Sequence, residues 1–148
     1  MKKMILGLAA MIITSTAVWA NDVNVNQNVL NAFKKAYSDV NQVKWEKAGD
    51  LYLASFTDQN NQQRVTYFNE TGELVSSSRT IPVEQLPLLA MEGINNRFDK
   101  PDMDYTAMEV AMNAETFYLV NIRDAKRKYL VKAYGNGETI IIRKEKIR

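Results

Sequence analysis

From Asn28 onward the apolar positions recur at helical spacing. Val29, Phe33, Tyr37 and Val40 fall on one side with Leu30 and Ala36 beside them, and Lys34, Lys35 and Asp39 take the other. This predicts an amphipathic helix that begins at Gln27 or Asn28 and ends at Asn41. The period then changes to two. Strands are expected over 43–47, 51–57, 63–68 and 74–80, separated by Ala48-Gly49-Asp50, Asp58-Gln59-Asn60-Asn61 and Asn69-Glu70-Thr71-Gly72. Breaks this short and this rich in turn formers join antiparallel neighbours, so the four strands read as a meander. After Pro82 and Pro87 the same order returns. A helix over 86–98 carries Leu86, Leu89, Ala90, Ile94 and Phe98 on its apolar stripe, with Pro87 in the first turn, where its missing N–H costs nothing. The segment 82–85 fits either an extra turn or extended chain, and Asp99-Lys100-Pro101-Asp102 ends the helix. Four further strands are expected over 105–112, 116–123, 128–134 and 138–144. Asn136-Gly137 between the last two reads as a type I′ hairpin turn.

The two halves match in residues as well as in order. Asp50-Leu51-Tyr52-Leu53-Ala54-Ser55-Phe56-Thr57 aligns without a gap to Thr116-Phe117-Tyr118-Leu119-Val120-Asn121-Ile122-Arg123. The same offset sets Val65-Thr66-Tyr67-Phe68 on Val131-Lys132-Ala133-Tyr134, and Gly72-Glu73 meets Gly137-Glu138 once the second copy loses one residue. A tandem repeat constrains architecture more than any single motif does. The expected class is α+β: two copies of a helix plus an antiparallel meander of about four strands, with the helices on one face of the sheet. The division would be 21–81 and 82–148, joined as one compact unit.

The repeat also suggests which face is which, because side chains alternate across a strand. Tyr52, Ala54 and Phe56 match Tyr118, Val120 and Ile122 with no polar break, so this set should pack on the helices. Val65 and Tyr67 match Val131 and Ala133, a second apolar set. The mixed sets then face water and present Leu51, Leu53, Phe68, Phe117, Leu119 and Tyr134 on an open sheet face. An apolar, aromatic sheet surface of that kind serves a partner or self-association. The competing reading is a sandwich-like arrangement with both faces buried.

The first twenty residues read as an export address: Lys2 and Lys3, an apolar run over 4–13, and Val18-Trp19-Ala20 before a cut after Ala20. The run breaks at Thr14-Ser15-Thr16, short of the roughly 20 apolar residues a membrane span needs. A periplasmic or secreted protein of about 128 residues is expected, with no membrane segment once the leader is removed. Without cysteine no disulfide can staple it, so packing alone must hold the fold. Without Lys2 and Lys3 the chain carries 17 basic and 17 acidic residues. The basic ones gather late: Arg123, Lys126, Arg127, Lys128, Lys132, Arg143, Lys144, Lys146 and Arg148 face only Asp124, Glu138 and Glu145. Such a cluster either meets an anionic surface or guards exposed strand edges against unwanted pairing.

Composition narrows the chemistry. With neither histidine nor cysteine, the usual neutral-pH base, the usual zinc ligands and both common nucleophile arrangements are missing. No phosphate-binding or dinucleotide loop appears among the six glycines. Asp99, Asp102 and Asp104 are weak candidates for holding a hard cation, but Asp102-Met103-Asp104 lacks the glycine and closing glutamate of a calcium loop. A solvated helix exit explains them as well. No enzyme activity, cofactor or nucleic-acid partner is expected.

Val43-Lys44-Trp45-Glu46-Lys47, Gly49-Asp50-Leu51-Tyr52-Leu53-Ala54-Ser55-Phe56, Asn69-Glu70-Thr71-Gly72-Glu73-Leu74 and Leu86-Pro87 together resemble the PepSY-like, or beta-lactamase-inhibitor-like, family of exported bacterial proteins. The resemblance covers about 29–98 and continues as the repeat beyond it. It implies helices packed on an antiparallel sheet, in tandem on one curved surface, and a non-enzymatic protein that binds or inhibits another exported protein. The family's namesake grips an enzyme with such a sheet, but none of its contact residues transfers to this chain. Its usual disulfides are also absent here. The alternative is a small-ligand or cation-binding envelope module, sited at the Asp99–Asp104 loop or the basic hairpins. Oligomeric state stays open.

Overall fold

The computed structural model describes residues 23–40 and 42–147. The expected export address and Asn41, the expected end of the first helix, lie outside them. Among the described residues two helices and nine strands follow, eight of the strands in the expected order and one, at Asp102–Met103, not expected. Helix α1 (Gln27–Ala36) leads into β1 (Val43–Ala48), β2 (Leu51–Thr57), β3 (Gln63–Asn69) and β4 (Leu74–Pro82). A single 3-10 turn (Val83–Gln85) precedes α2 (Leu88–Arg97). Then come β5 (Asp102–Met103), β6 (Thr106–Met112), β7 (Glu115–Arg123), β8 (Arg127–Tyr134) and β9 (Thr139–Lys146). All nine strands form one antiparallel sheet, in the order β1-β2-β3-β4-β6-β7-β8-β9, with β5 pairing the end of β7. The two meanders therefore meet edge to edge through the β4–β6 ladder, from Ser76↔Met112 to Pro82↔Thr106.

Helix α1 starts where Asn26 accepts from the Asn28 N–H at 2.9 Å, satisfying one of the free donors of the first turn. It ends earlier than its apolar spacing predicted. Tyr37 leaves helical geometry while its N–H still reaches the Phe33 carbonyl, so Tyr37 and Val40 pack from the loop. Phe33 anchors the helix, with ring centroids 5.2 Å from Trp45, 5.1 Å from Phe56 and 6.3 Å from Phe68. Edge-to-face pairs of this kind add about 0.5–1.5 kcal/mol each beyond area burial. Helix α2 starts after Pro87 rather than around it. Leu86 is extended, as the residue before proline prefers. It buries Ala90 and Ile94 against Tyr118, Val120, Ile122, Tyr129, Val131 and Ala133, whereas Leu89, expected on the same stripe, is half exposed.

The hairpin at Asn136-Gly137 is not of type I′. The Gly137 N–H reaches the Tyr134 carbonyl, the Tyr134 N–H reaches the Glu138 carbonyl, and only Gly137 has a positive φ, at 92°. The β3–β4 turn repeats this pattern with Asn69, Gly72 and Glu73, and Gly72 at a φ of 85°. Both copies thus use a four-residue turn with glycine in the left-handed position before the next strand.

Candidate functional site: the helix-free face of the sheet

Tyr52, Ala54 and Phe56 pack on α1, and Tyr118, Val120 and Ile122 pack on α2. Residues between them along each strand point to the other side. Pairing carries that side across the whole sheet, because directly opposed residues share a face. One row runs Lys44, Ser55, Val65, Ser78, Val110, Phe117, Tyr134. A second runs Thr80, Met108, Leu119, Lys132, Ile140. A third runs Glu46, Leu53, Tyr67, Ser76, Met112, Glu115. Both halves of the repeat thus build this face.

Of the six residues expected there, Leu51, Leu53 and Tyr134 are half-buried apolar side chains on it. Phe117 and Leu119 also lie on it but are only 0% and 5% exposed. They belong to a cluster with Val110, Met112 and Leu130, flanked by Met108 and Tyr134, to which no helix contributes. Neighbours on the same face cover them: Met108 and Tyr134 pack against the cluster and Lys132 lies over the Phe117 ring. Register irregularities at Tyr67/Phe68 and Leu130/Val131 supply local bending.

Phe68 is on the opposite face. It pairs with Tyr52 and packs against Phe33 under α1. The reason is a one-residue difference in register. Thr57 pairs with Gln63 across a five-residue loop, whereas Arg123 pairs with Lys128 across four. The gapless match of Val65 to Val131 therefore breaks down in space. Thr66, opposite Ala54, is the true counterpart of Val131, opposite Val120. A slip of one residue exchanges the faces of a strand, so Val65 and Tyr67 line the helix-free face in place of Thr66 and Phe68. Loop length was the signal that exposes this. Met108, Val110 and Met112 were missed for another reason, since the adjacency of β4 and β6 is not written in either strand.

The face is electrostatically uneven. At the β1 end Lys44 meets Glu46 at 2.6 Å. Tyr67 lies buried near Glu46, and burial, followed by that carboxylate, pushes its hydroxyl above the ordinary tyrosine range. Ser78 donates to the Val65 carbonyl at 3.3 Å, while the buried Ser76 hydroxyl has no protein partner. At the other end, Asp104, Arg123, Lys128, Leu130, Arg143 and Glu145 help line a depression of about 290 Å³. Arg123 reaches Asp102 at 3.6 Å and Asp104 at 3.3 Å, and Arg143 reaches Glu145 at 3.3 Å. Asp102 and Asp104 are thus held by a guanidinium rather than turned to a common cation. Among the described residues no group of three acidic side chains is arranged to hold a metal. Lys132 Nζ sits 3.9 Å from the Phe117 ring centroid and 4.6 Å from that of Tyr134.

No protein-family model matches the chain, and no curated protein matches it. Solved structures do. A proposed periplasmic protein of Bacteroides eggerthii DSM 20697 is 18% identical, with a TM-score of 0.69 over 88% of this chain and 91% of that one. A DUF2874 family protein of Bacteroides uniformis ATCC 8492 is 20% identical, with a TM-score of 0.69 over 86% and 90%. A BLIP-like protein of Bacteroides fragilis NCTC 9343 is 15% identical, with a TM-score of 0.67 over 89% and 90%. At these identities the likeness speaks to fold, and it extends across both repeats. The chain has the BLIP-like fold, two helix-and-meander repeats in one open antiparallel sheet, as its sequence resemblance implied.

Proposed function

We propose that this chain is a non-enzymatic binding protein, exported to the periplasm or the medium, that holds another exported protein against the helix-free face of its sheet. The observation that carries the reading is an apolar surface over which no helix of the described residues lies. Leu51, Leu53, Val65, Met108 and Tyr134 are all partly exposed on one face to which both repeats contribute. Partly exposed apolar side chains gathered on one face mark a surface that something covers. The basic and apolar leader motif over 1–20 supports export. The likeness to a BLIP-like protein supports a protein partner. The two halves, 21–81 and 82–148, act as one unit in this reading, because the β4–β6 ladder places residues of both in the same rows.

Affinity capture from envelope extract, with Leu53→Arg and Met108→Arg beside the unaltered protein, tests the proposal. Both side chains are only half-buried, so the variants should keep their far-UV spectrum and melting temperature while losing a stoichiometric partner. Leu88→Arg, at a position 74% exposed on α2, should retain it. Retention by both face variants, or loss only in Leu88→Arg, would place the binding surface elsewhere.

A further inference from the structure

Deepening the reading of the helix-free face as protein-binding, we infer that the segment it takes is acidic, with a carboxylate meeting Lys132. Among the described residues, four cations face this side on β7 to β9: Arg123, Lys128, Lys132 and Arg143. Arg123 is compensated by Asp102 and Asp104, and Arg143 by Glu145. Lys128 lies directly opposite Glu145, whereas among the described residues Lys132 has no carboxylate within ion-pair reach. At the far end of the sheet, by contrast, Lys44 is matched by Glu46. On the same face of β7 the carboxylate of Glu115 lies four residues from Leu119, the residue opposite Lys132. At about 3.4 Å per residue that is on the order of 13 Å away along the strand. In number the four cations are matched by Asp102, Asp104, Glu115 and Glu145, so the face has no net excess, but Lys132 is the cation whose cross-strand neighbours are both apolar.

The surroundings of Lys132 turn its lack of a counter-charge into a requirement. Its neighbours across the strands are Leu119 and Ile140, with Met108 one strand further. Its ammonium rests on the rings of Phe117 and Tyr134. In the free protein, water completes the shell of that ammonium. A partner packed on Tyr134, Met108 and Ile140 removes the water, and a buried cation without a counter-charge is strongly unfavourable. The rings offset only part of that cost. An aspartate or glutamate, flanked by apolar side chains for Tyr134 and Ile140, satisfies both demands and rejects basic partners.

The test is selection of random phage-displayed peptides on the purified protein. Measured affinities follow for Lys132→Met, which keeps the stem over Phe117 but removes the charge, and for Lys132→Glu. Lys144→Glu serves as control, because Lys144 lies over the Tyr129 ring on the opposite face. The expected result is enrichment of Asp or Glu beside aromatic or aliphatic residues. Affinity should fall about tenfold or more in Lys132→Met, change little in Lys144→Glu, and shift toward Lys- and Arg-bearing peptides in Lys132→Glu. Peptides that lose binding in Leu53→Arg but show no acidic enrichment overturn this inference and leave the protein-binding face standing. Binders indifferent to Leu53→Arg and Lys132→Met, or none at all, overturn both. Displacement of acidic peptides by heparin through Lys126 and Arg127 rather than Lys132 would assign the charge to anionic polysaccharide and overturn the acidic-segment inference.

Discussion

The Gly137 carbonyl of the β8–β9 turn occupies the place where a side chain on Gly93 of α2 would have to go. The first repeat makes the same contact with one difference. Gly72 of the β3–β4 turn abuts Asn28 and Ala32 of α1, spaced as Leu89 and Gly93 are on α2. Where α1 carries alanine, α2 carries glycine, and the Gly137 carbonyl fills the space a methyl there would need. Each helix is thus docked by a glycine turn as well as by its apolar face.

Gly93→Ala should destabilise the protein by about 2 kcal/mol. Alanine is worth about 1 kcal/mol to an exposed helix, but here its methyl would overlap backbone that cannot rotate away. Gly72→Ala should cost at least as much, because its φ of 85° disfavours any side chain and its Cβ would sit 2.7 Å from the Asn28 carbonyl oxygen. Gly135→Ala, with open space around it and no left-handed φ, should be nearly neutral. Urea denaturation of the three variants checks the order.

Phe117→Ala should cost about 3–5 kcal/mol, the usual loss for a fully buried phenylalanine. Leu53→Arg, half-buried on the same face, should cost about 1 kcal/mol or less. Equal losses in thermal melts would mean that no part of this face is open surface.

Stability should fall in acid through two hairpin aspartates. Asp58 receives the Arg64 guanidinium at 2.5 Å and the N–H groups of Asn60 and Gln62, and Arg64 is the main cause holding its carboxyl below the ordinary range. Asp124 accepts chiefly from the Tyr129 hydroxyl, at 2.7 Å, then from the Lys126 and Arg127 N–H groups, and is lowered likewise. A carboxyl with a depressed folded-state pKa contributes stability above its unfolded value and loses it as pH falls through the lowered one. Denaturation midpoints should therefore drop in moderately acidic solution, and Asp58→Asn with Asp124→Asn should flatten that dependence. An unchanged pH profile in the double variant would show that neither turn contributes.

Arg79 and Glu109 pair across the β4–β6 seam on the helix face, and the Glu109 hydrogen bond raises the Arg79 pKa above its ordinary value. Side-chain exposures of 37% and 22% leave the pair partly screened by water. A double-mutant cycle with Arg79→Met and Glu109→Gln should give a coupling of about 1 kcal/mol, falling in high salt.

Much of the fold was legible because it is local. Phe33 and Ile94 sit on helical periods, and the glycine turns mark the strand ends. The alternation in β2 and β7 assigned Tyr52 and Tyr118 to the helix side correctly. The short strand at Asp102–Met103 is not legible in the sequence, since two residues carry no period and only pairing to Arg123 and Ile122 makes them a strand. The turn at Asn136-Gly137 departs from type I′ because that dipeptide serves more than one hairpin geometry.

The sequence by itself determined the doubled helix-and-meander plan and the inward faces of β2 and β7, since both follow from the spacing of neighbouring side chains. Only the tertiary structure decided that Phe68 faces α1 while Tyr67 faces away, because register depends on a loop one residue longer. It alone decided that Phe117 and Leu119 lie beneath the surface they belong to, because depth depends on which side chains of neighbouring strands pack over them. And it alone set Ser76, Ser78 and Thr80 beside Met112, Val110 and Met108, because the pairing of β4 with β6 joins edges that nothing local in either strand specifies.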